Sequence, residues 1–172
     1  VFPADNPRTV LGLSDVPYRR EITWDGRFFD LYAVDLRSGE RKLVAKRLAG
    51  RRGNVGGLSP DGRYVLYYTD GDWQLFDIDK AESRNVTDGL SVPFADEDHD
   101  YPSKPPGYGH SEWFADASAV LIYDKYDIWY FPVKKDGEGV EEMKRRGFLA
   151  ILVVADCSMT HISLKSRMES TI

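Results

Sequence analysis

A single cysteine, Cys157, excludes an intrachain disulfide and any cluster of thiolate metal ligands. Membrane-spanning helices are excluded as well, because the longest apolar run, Phe148 to Ala155, falls far short of the about 20 residues that a span needs. No signal peptide is visible from Val1 onward, although an N-terminal truncation would have removed one. Neither sign of charge dominates: 23 Lys and Arg against 28 Asp and Glu leave a net charge of −5, which argues against a nucleic-acid binder held by electrostatics. A serine-hydrolase elbow is missing too. Its G-x-S-x-G pattern needs small residues around the strained serine, yet Gly109-His110-Ser111-Glu112-Trp113 ends in Trp and Gly12-Leu13-Ser14-Asp15-Val16 ends in Val. Ser111 therefore reads as a serine at the start of a strand, and the chain carries no catalytic residue of its own.

What the chain does have is a rhythm of turns and short strands. Ser59-Pro60-Asp61-Gly62 combines a proline of preset φ, an aspartate that bonds its own backbone and a glycine free to take positive φ, so the chain reverses there. Tyr64-Val65-Leu66-Tyr67-Tyr68 follows as a β-branched and aromatic run, and Thr69-Asp70-Gly71 is a second turn signal. Trp73, Leu75 and Phe76 then mark another strand, ending at Asp77-Ile78-Asp79.

The rhythm recurs. A shift of 55 residues places Asp61 on Asp116, Val65 on Val120, Leu66 on Leu121, Tyr68 on Tyr123, Asp72 on Asp127 and Phe76 on Phe131. A shift of 42 in the other direction places Asp30-Leu31-Tyr32-Ala33-Val34-Asp35-Leu36 on Asp72 to Ile78. Repeats of about 40 to 50 residues with about four short strands each are what β-propeller blades require. The expectation is thus an all-β partial propeller of about three four-stranded antiparallel blades: roughly residues 1–50, 51–90 and 109–138, within a unit of 1–138. An ordinary antiparallel sandwich is the alternative. Three blades are too few to close a ring, and the text opens at Val1 in mid-pattern, so the chain reads as a fragment of something longer. Open strand edges then predict marginal stability or aggregation. The strand before the Asp30 copy is expected at Pro7 to Leu13, and the basic cluster Lys46 to Arg52 is read as a solvated loop between blades.

Between the second and third copies lies a loop, residues 91–108, holding an excess of about 13 residues, the difference between the two shifts. Asp96, Glu97, Asp98, His99 and Asp100 stand in a row, followed by Tyr101, Pro102, Pro105, Pro106, Gly107 and Tyr108. Clustered carboxylates suit a hard cation, but the alternating D-x-D-x-D-G spacing and its distal glutamate are absent, and one histidine without a thiolate does not suit zinc. No metal or cofactor is therefore expected. Proline stiffens the loop and removes ladder donors, so it is expected to project and to serve as an interaction loop through Asp96, Glu97, Asp98, His99, Asp100, Tyr101 and Tyr108. The aromatics Tyr68, Trp73, Tyr126, Trp129 and Tyr130 read as core between blades, and Asp72 and Asp127 as strand-end hydrogen-bonding residues.

Asp30-Leu31-Tyr32-Ala33-Val34-Asp35, Leu58-Ser59-Pro60-Asp61-Gly62-Arg63, the acidic loop from Val92 to Pro102 and Tyr123-Asp124-Lys125-Tyr126-Asp127-Ile128-Trp129 together resemble the N-terminal propeller of prolyl oligopeptidase-family serine peptidases. The likeness is to members with a TolB-like or dipeptidyl-peptidase-like propeller, and it covers roughly residues 1–133. It implies a non-catalytic module that packs on the C-terminal α/β-hydrolase domain of the same parent chain and gates the access of peptide substrates. It also implies a periplasmic or secreted location. A stand-alone TolB-like protein-binding propeller is the second reading. The glutamate pair with which some relatives hold a substrate amine is not carried onto Glu141-Glu142, which lies outside the matched region, nor onto Asp96-Glu97.

The pattern then fails. The closing strand Arg84-Asn85-Val86-Thr87 should recur at Gly139-Val140-Glu141-Glu142 and does not. Residues 139–172 form an atypical tail, read either as a replacement edge strand at Leu149 to Val154 or, by preference, as a reading-frame artefact.

Overall fold

Turn chemistry and strand propensity alternate along most of this chain, and the fold follows them. The computed structural model describes residues 8–21, 26–50 and 53–133. β1 (Thr9–Ser14), β2 (Phe28–Asp35) and β3 (Arg41–Ala49) form a three-stranded antiparallel meander. β4 (Val55–Leu58), β5 (Tyr64–Thr69), β6 (Asp72–Asp77) and β7 (Glu82–Asn85) form a four-stranded one, and β8 (His110–Trp113), β9 (Ala119–Tyr123) and β10 (Ile128–Pro132) a third, of three strands. One short 3-10 helix, Val16–Glu21, interrupts the strands. The described residues are thus all-β.

Backbone bonds repeat from sheet to sheet. The carbonyl of Arg8 accepts from the amide of Leu36 at 2.8 Å, that of Arg63 from Ile78 at 2.9 Å and that of Ser118 from Val133 at 2.9 Å. The turns repeat as well. Asp61 Oδ1 accepts from the Arg63 amide at 3.2 Å, and Asp116 Oδ1 from the Ser118 amide at 3.0 Å. Gly62 takes φ +72° there, and Ala117 takes the same left-handed conformation at +56°. Buried Ser59 fastens its copy of the turn: its hydroxyl donates to Asp61 Oδ1 at 2.6 Å and accepts from the Tyr64 amide at 2.8 Å. The first two sheets also share an Asx turn, with Asp35 Oδ1 accepting from Arg37 and Ser38 amides and Asp77 Oδ1 from Asp79 and Lys80.

These equivalences relate the strands of the three sheets. Through them β1, β2 and β3 correspond to β5, β6 and β7, whereas β8, β9 and β10 correspond to β4, β5 and β6. Among the described residues only the middle sheet therefore has four strands. In the first sheet the place that corresponds to β4 falls before Arg8, and in the third the place that corresponds to β7 falls after Val133. Both places, the tail 139–172 and the edge strand expected at Leu149 to Val154 lie outside the described residues. The first sheet holds an insertion of its own, since the 3-10 helix stands where the second has the tight turn at Asp70-Gly71.

The basic cluster is corrected. Lys46 to Ala49 continue β3 and are not a loop, while Arg51 and Arg52 lie outside the described residues. Leu48 pulls this stretch inward, at 1% exposed, and Arg47 at φ +52° gives its amide to Asp30 Oδ1 at 3.0 Å. Burial alone would raise the pKa of Asp30, but hydrogen bonds from the Tyr18 hydroxyl, the Arg47 amide and the Tyr32 hydroxyl hold it below the usual carboxylate range.

Stacking decides which face of each strand is buried. Tyr64, Leu66 and Tyr68 of β5, with Trp73 and Leu75 of β6, meet Val120, Ile122, Phe131 and Val133 of the third sheet region. Val65, Tyr67 and Phe76 meet Leu31, Ala33, Val44 and Leu48 of the first. The unbroken run Tyr64 to Tyr68 is therefore explained by burial on both faces. Polar ties cross each seam: Lys42 Nζ donates to the Ile78 carbonyl at 2.9 Å, Arg84 to the Val133 carbonyl at 3.0 Å and Trp113 Nε1 to the Gly56 carbonyl at 3.1 Å.

Gly56 is held between those neighbours. A Cβ at this position would lie 2.5 Å from Leu66 Cδ2 and 2.8 Å from Leu66 Cβ, so Gly56→Ala is expected to lower stability by about 1–3 kcal/mol through overpacking. The shift of the urea midpoint measures it, and an unchanged midpoint would contradict the packing described.

Candidate interaction loop

Loop 91–108 is anchored first and exposed second. Phe94 drives its side chain into the core at 2% exposed, edge-on to Trp129 and Phe131 with ring centroids 6.1 Å away in each case. The base is then closed as a short antiparallel pair: Ala95 bridges Gly107, the Asp96 amide donates to the Pro106 carbonyl at 2.8 Å, and the Tyr108 amide to the Phe94 carbonyl at 3.2 Å. Proline lacks a donor but keeps its acceptor, which is how Pro106 enters this pairing. Gly107 lets the base lie against the core, because a Cβ there would be 3.0 Å from Tyr68 Cδ2. The expectation of a projecting loop is thus modified. It folds back at its base and exposes its tip.

Within the tip, Asp96 Oδ1 accepts from the Asp98 amide at 3.0 Å, the Glu97 amide donates to the Tyr108 hydroxyl at 2.9 Å, and His99 Nε2 lies 3.1 Å from Ser103 Oγ. Two ion pairs fasten the tip to the sheets: Lys104 with Asp70, and Lys125 Nζ with Asp98 Oδ1 at 2.8 Å. The Asp98 carboxylate raises the pKa of Lys125, and the Lys104 ammonium lowers that of Asp70. Of the seven residues expected to make contacts, Glu97, Asp98, Asp100 and Tyr101 are exposed, with Tyr101 at 70%, whereas Asp96, His99 and Tyr108 are half-buried and hold the loop's own backbone or neighbours. Among the described residues, no three His, Cys, Asp or Glu side chains converge as metal ligands would.

Tyr126 joins the exposed surface and was misplaced by the sequence reading, which assigned it to the core. It is 83% exposed. Buried Asp124 presents it, accepting from the Tyr126 amide at 2.7 Å, the Asp127 amide at 2.6 Å and Trp129 Nε1 at 2.7 Å. The turn-forming Asp124 directly after the strand Ala119–Tyr123 was the available signal. Asp72 does bond at its strand end, accepting from Thr87 Oγ1 at 2.8 Å, while the position that would answer to Thr87 for Asp127 lies outside the described residues. Tyr68 and Trp73 are core, and Trp129 and Tyr130 lie half-buried at its margin.

Ser111 sits within β8, donating to the Glu112 carbonyl at 2.6 Å and accepting from the Leu121 amide at 3.1 Å, beside a register shift in the β8–β9 pairing. No strand-to-helix elbow surrounds it. Between β3, the β5–β6 turn and the loop runs an open groove of about 490 Å³, lined by Phe28, Lys46, Arg47, Asp70 and Lys104 among others. Tyr68 borders it. Burial, reinforced by the Asp72, Asp70 and Asp96 carboxylates, pushes its phenol up to about 12, so it stays protonated and donates to the Pro105 carbonyl at 3.4 Å.

No helix among the described residues is long and apolar enough to cross a membrane. No protein-family model matches the chain, and no curated protein matches it either.

Proposed function

We propose that the three stacked sheets are blades of a β-propeller that packs on the α/β-hydrolase domain of a prolyl oligopeptidase-family serine peptidase and limits which peptides reach it. The chain supplies no catalytic group in this reading. Support comes from the repeated blade-to-blade packing and from the resemblance carried by the Asp30, Ser59 and Tyr123 segments. One observation carries the role of the loop: its base is bonded into the fold, while its tip exposes Tyr101 against His99, and Lys125, paired with Asp98 of the tip, lies by the ring of the exposed Tyr126. Exposed tyrosines on rigid mounts give large contact area at small entropic cost. The same tip would suit a stand-alone protein-binding propeller.

The coding sequence beyond Val133 discriminates. Further blades followed by a hydrolase region with a G-x-S-x-G elbow are expected, and a stop codon after further blades would leave the stand-alone reading instead. In the full peptidase, Tyr101→Ala with Tyr126→Ala is expected to change kcat/KM for long peptides about fivefold or more relative to dipeptide substrates, each contact being worth about 1 kcal/mol or more. Unchanged size selectivity and domain assembly would remove the loop from the interface. Labelling of this chain alone by a fluorophosphonate probe would overturn its non-catalytic role.

A further inference from the structure

Asn85-Val86-Thr87, at the end of the edge strand β7, is an Asn-x-Thr triplet without proline in the middle, and the sequence holds no other Asn-x-Ser or Asn-x-Thr. This is the acceptor pattern for an N-linked oligosaccharide. Three residues alone say little, so the weight falls on how the fold holds them.

Asn85 Oδ1 accepts from the Thr87 amide at 2.9 Å and from the Thr87 hydroxyl at 3.1 Å. A backbone amide is a donor only, so this contact fixes which end of the Asn85 carboxamide is oxygen. The other end, Nδ2, donates to nothing among the described residues. Among these the buried side-chain atoms without a partner are Asn54 Oδ1 and Trp73 Nε1, so Asn85 Nδ2 reaches solvent. Glu82, Ser83 and Arg84 before it and Asp88 and Gly89 after it are exposed as well. The second sheet already packs against a neighbouring sheet on each face, so no further blade stacks at this place.

Thr87 is held quite differently. It is 3% exposed, accepts from the Trp73 amide at 3.1 Å and shares its hydroxyl proton between Asp72 Oδ1 at 2.8 Å and Asn85 Oδ1. An enzyme that must engage both the asparagine and the threonine reaches them only before this clasp closes. The product, in contrast, fits the closed clasp, because the sugar replaces a hydrogen on Nδ2 and leaves both bonds to Oδ1 intact.

We propose that Asn85 accepts an N-linked oligosaccharide, added before the second sheet closes, when the chain enters a compartment that holds a lipid-linked oligosaccharide and its transferase. Asn85 Nδ2 bonds to the anomeric carbon of the sugar as the bond from that carbon to the lipid pyrophosphate breaks. The nitrogen gives one proton to a base of the transferase, and the lipid pyrophosphate leaves. The assignment stands independently of the peptidase reading.

Expression of the full chain behind a secretion signal in eukaryotic cells tests it, with both secreted and retained chain digested by an amidase that removes N-linked glycans. The wild-type chain is expected to migrate faster after digestion, with Asn85 converted to Asp in the released peptide. Asn85→Asp keeps an oxygen for the Thr87 clasp but has no nitrogen to modify. It is expected to keep the circular dichroism spectrum and to lose the migration shift entirely. Thr87→Ser keeps the hydroxyl and is expected to retain part of the shift. Since the transfer precedes folding, a variant or chain that fails to fold still reports on it. Unmodified Asn85 in the wild-type chain would overturn the proposal, as would a shift that survives Asn85→Asp.

Discussion

Phe94→Ala is expected to lower stability by about 3–5 kcal/mol, the usual loss when a buried aromatic side chain is truncated. It is also expected to release loop 91–108. Phe94 is 2% exposed and its ring meets both Trp129 and Phe131, whereas the rest of the loop is held by a few backbone bonds and two exposed ion pairs, each worth little against thermal motion. Chemical denaturation measures the first effect, and limited proteolysis between Glu97 and Pro102 the second. A loss under 1 kcal/mol with unchanged cleavage would show that the loop is held by something other than this ring.

Trp73→Ala carries the second large effect, again about 3–5 kcal/mol, because Trp73 is the largest of the fully buried side chains and lies between Tyr68 and His110. Its indole N–H, however, finds no acceptor among the described residues although it is buried. Trp73→Phe removes that unpaired donor along with part of the ring, and a buried unpaired polar group costs about 1–3 kcal/mol, so the gain offsets much of the lost packing. The phenylalanine variant is therefore expected to retain most of the wild-type stability. Equal losses for the two variants would show that the N–H is satisfied.

Much of this was legible in the sequence. Ser59 to Gly62 and its echo at Asp116 announced the turns, and the 55- and 42-residue shifts aligned strands that the backbone bonds later matched one for one. The four-strand blade can be followed in full only in the middle sheet, because the fourth places of the outer two fall outside the described residues. Lys46 and Arg47 looked like loop because charge was weighed above the alternating burial of Val44 and Leu48. The acidic loop was visible as composition, but its anchoring was not: Phe94 reads as one more apolar residue, and the acceptor role of Pro106 depends on a partner ten positions back. Tyr126 went astray because its neighbours Trp129 and Phe131 turn inward, and only the carboxylate of Asp124 turns Tyr126 out.

The middle sheet takes part in both hydrophobic clusters, and each outer sheet in only one. Detaching either outer sheet strips one side of β5 and β6 and leaves aromatic surface in water. Cooperativity in this chain is therefore unevenly shared: the ends can fray one at a time, but the centre melts only when everything does.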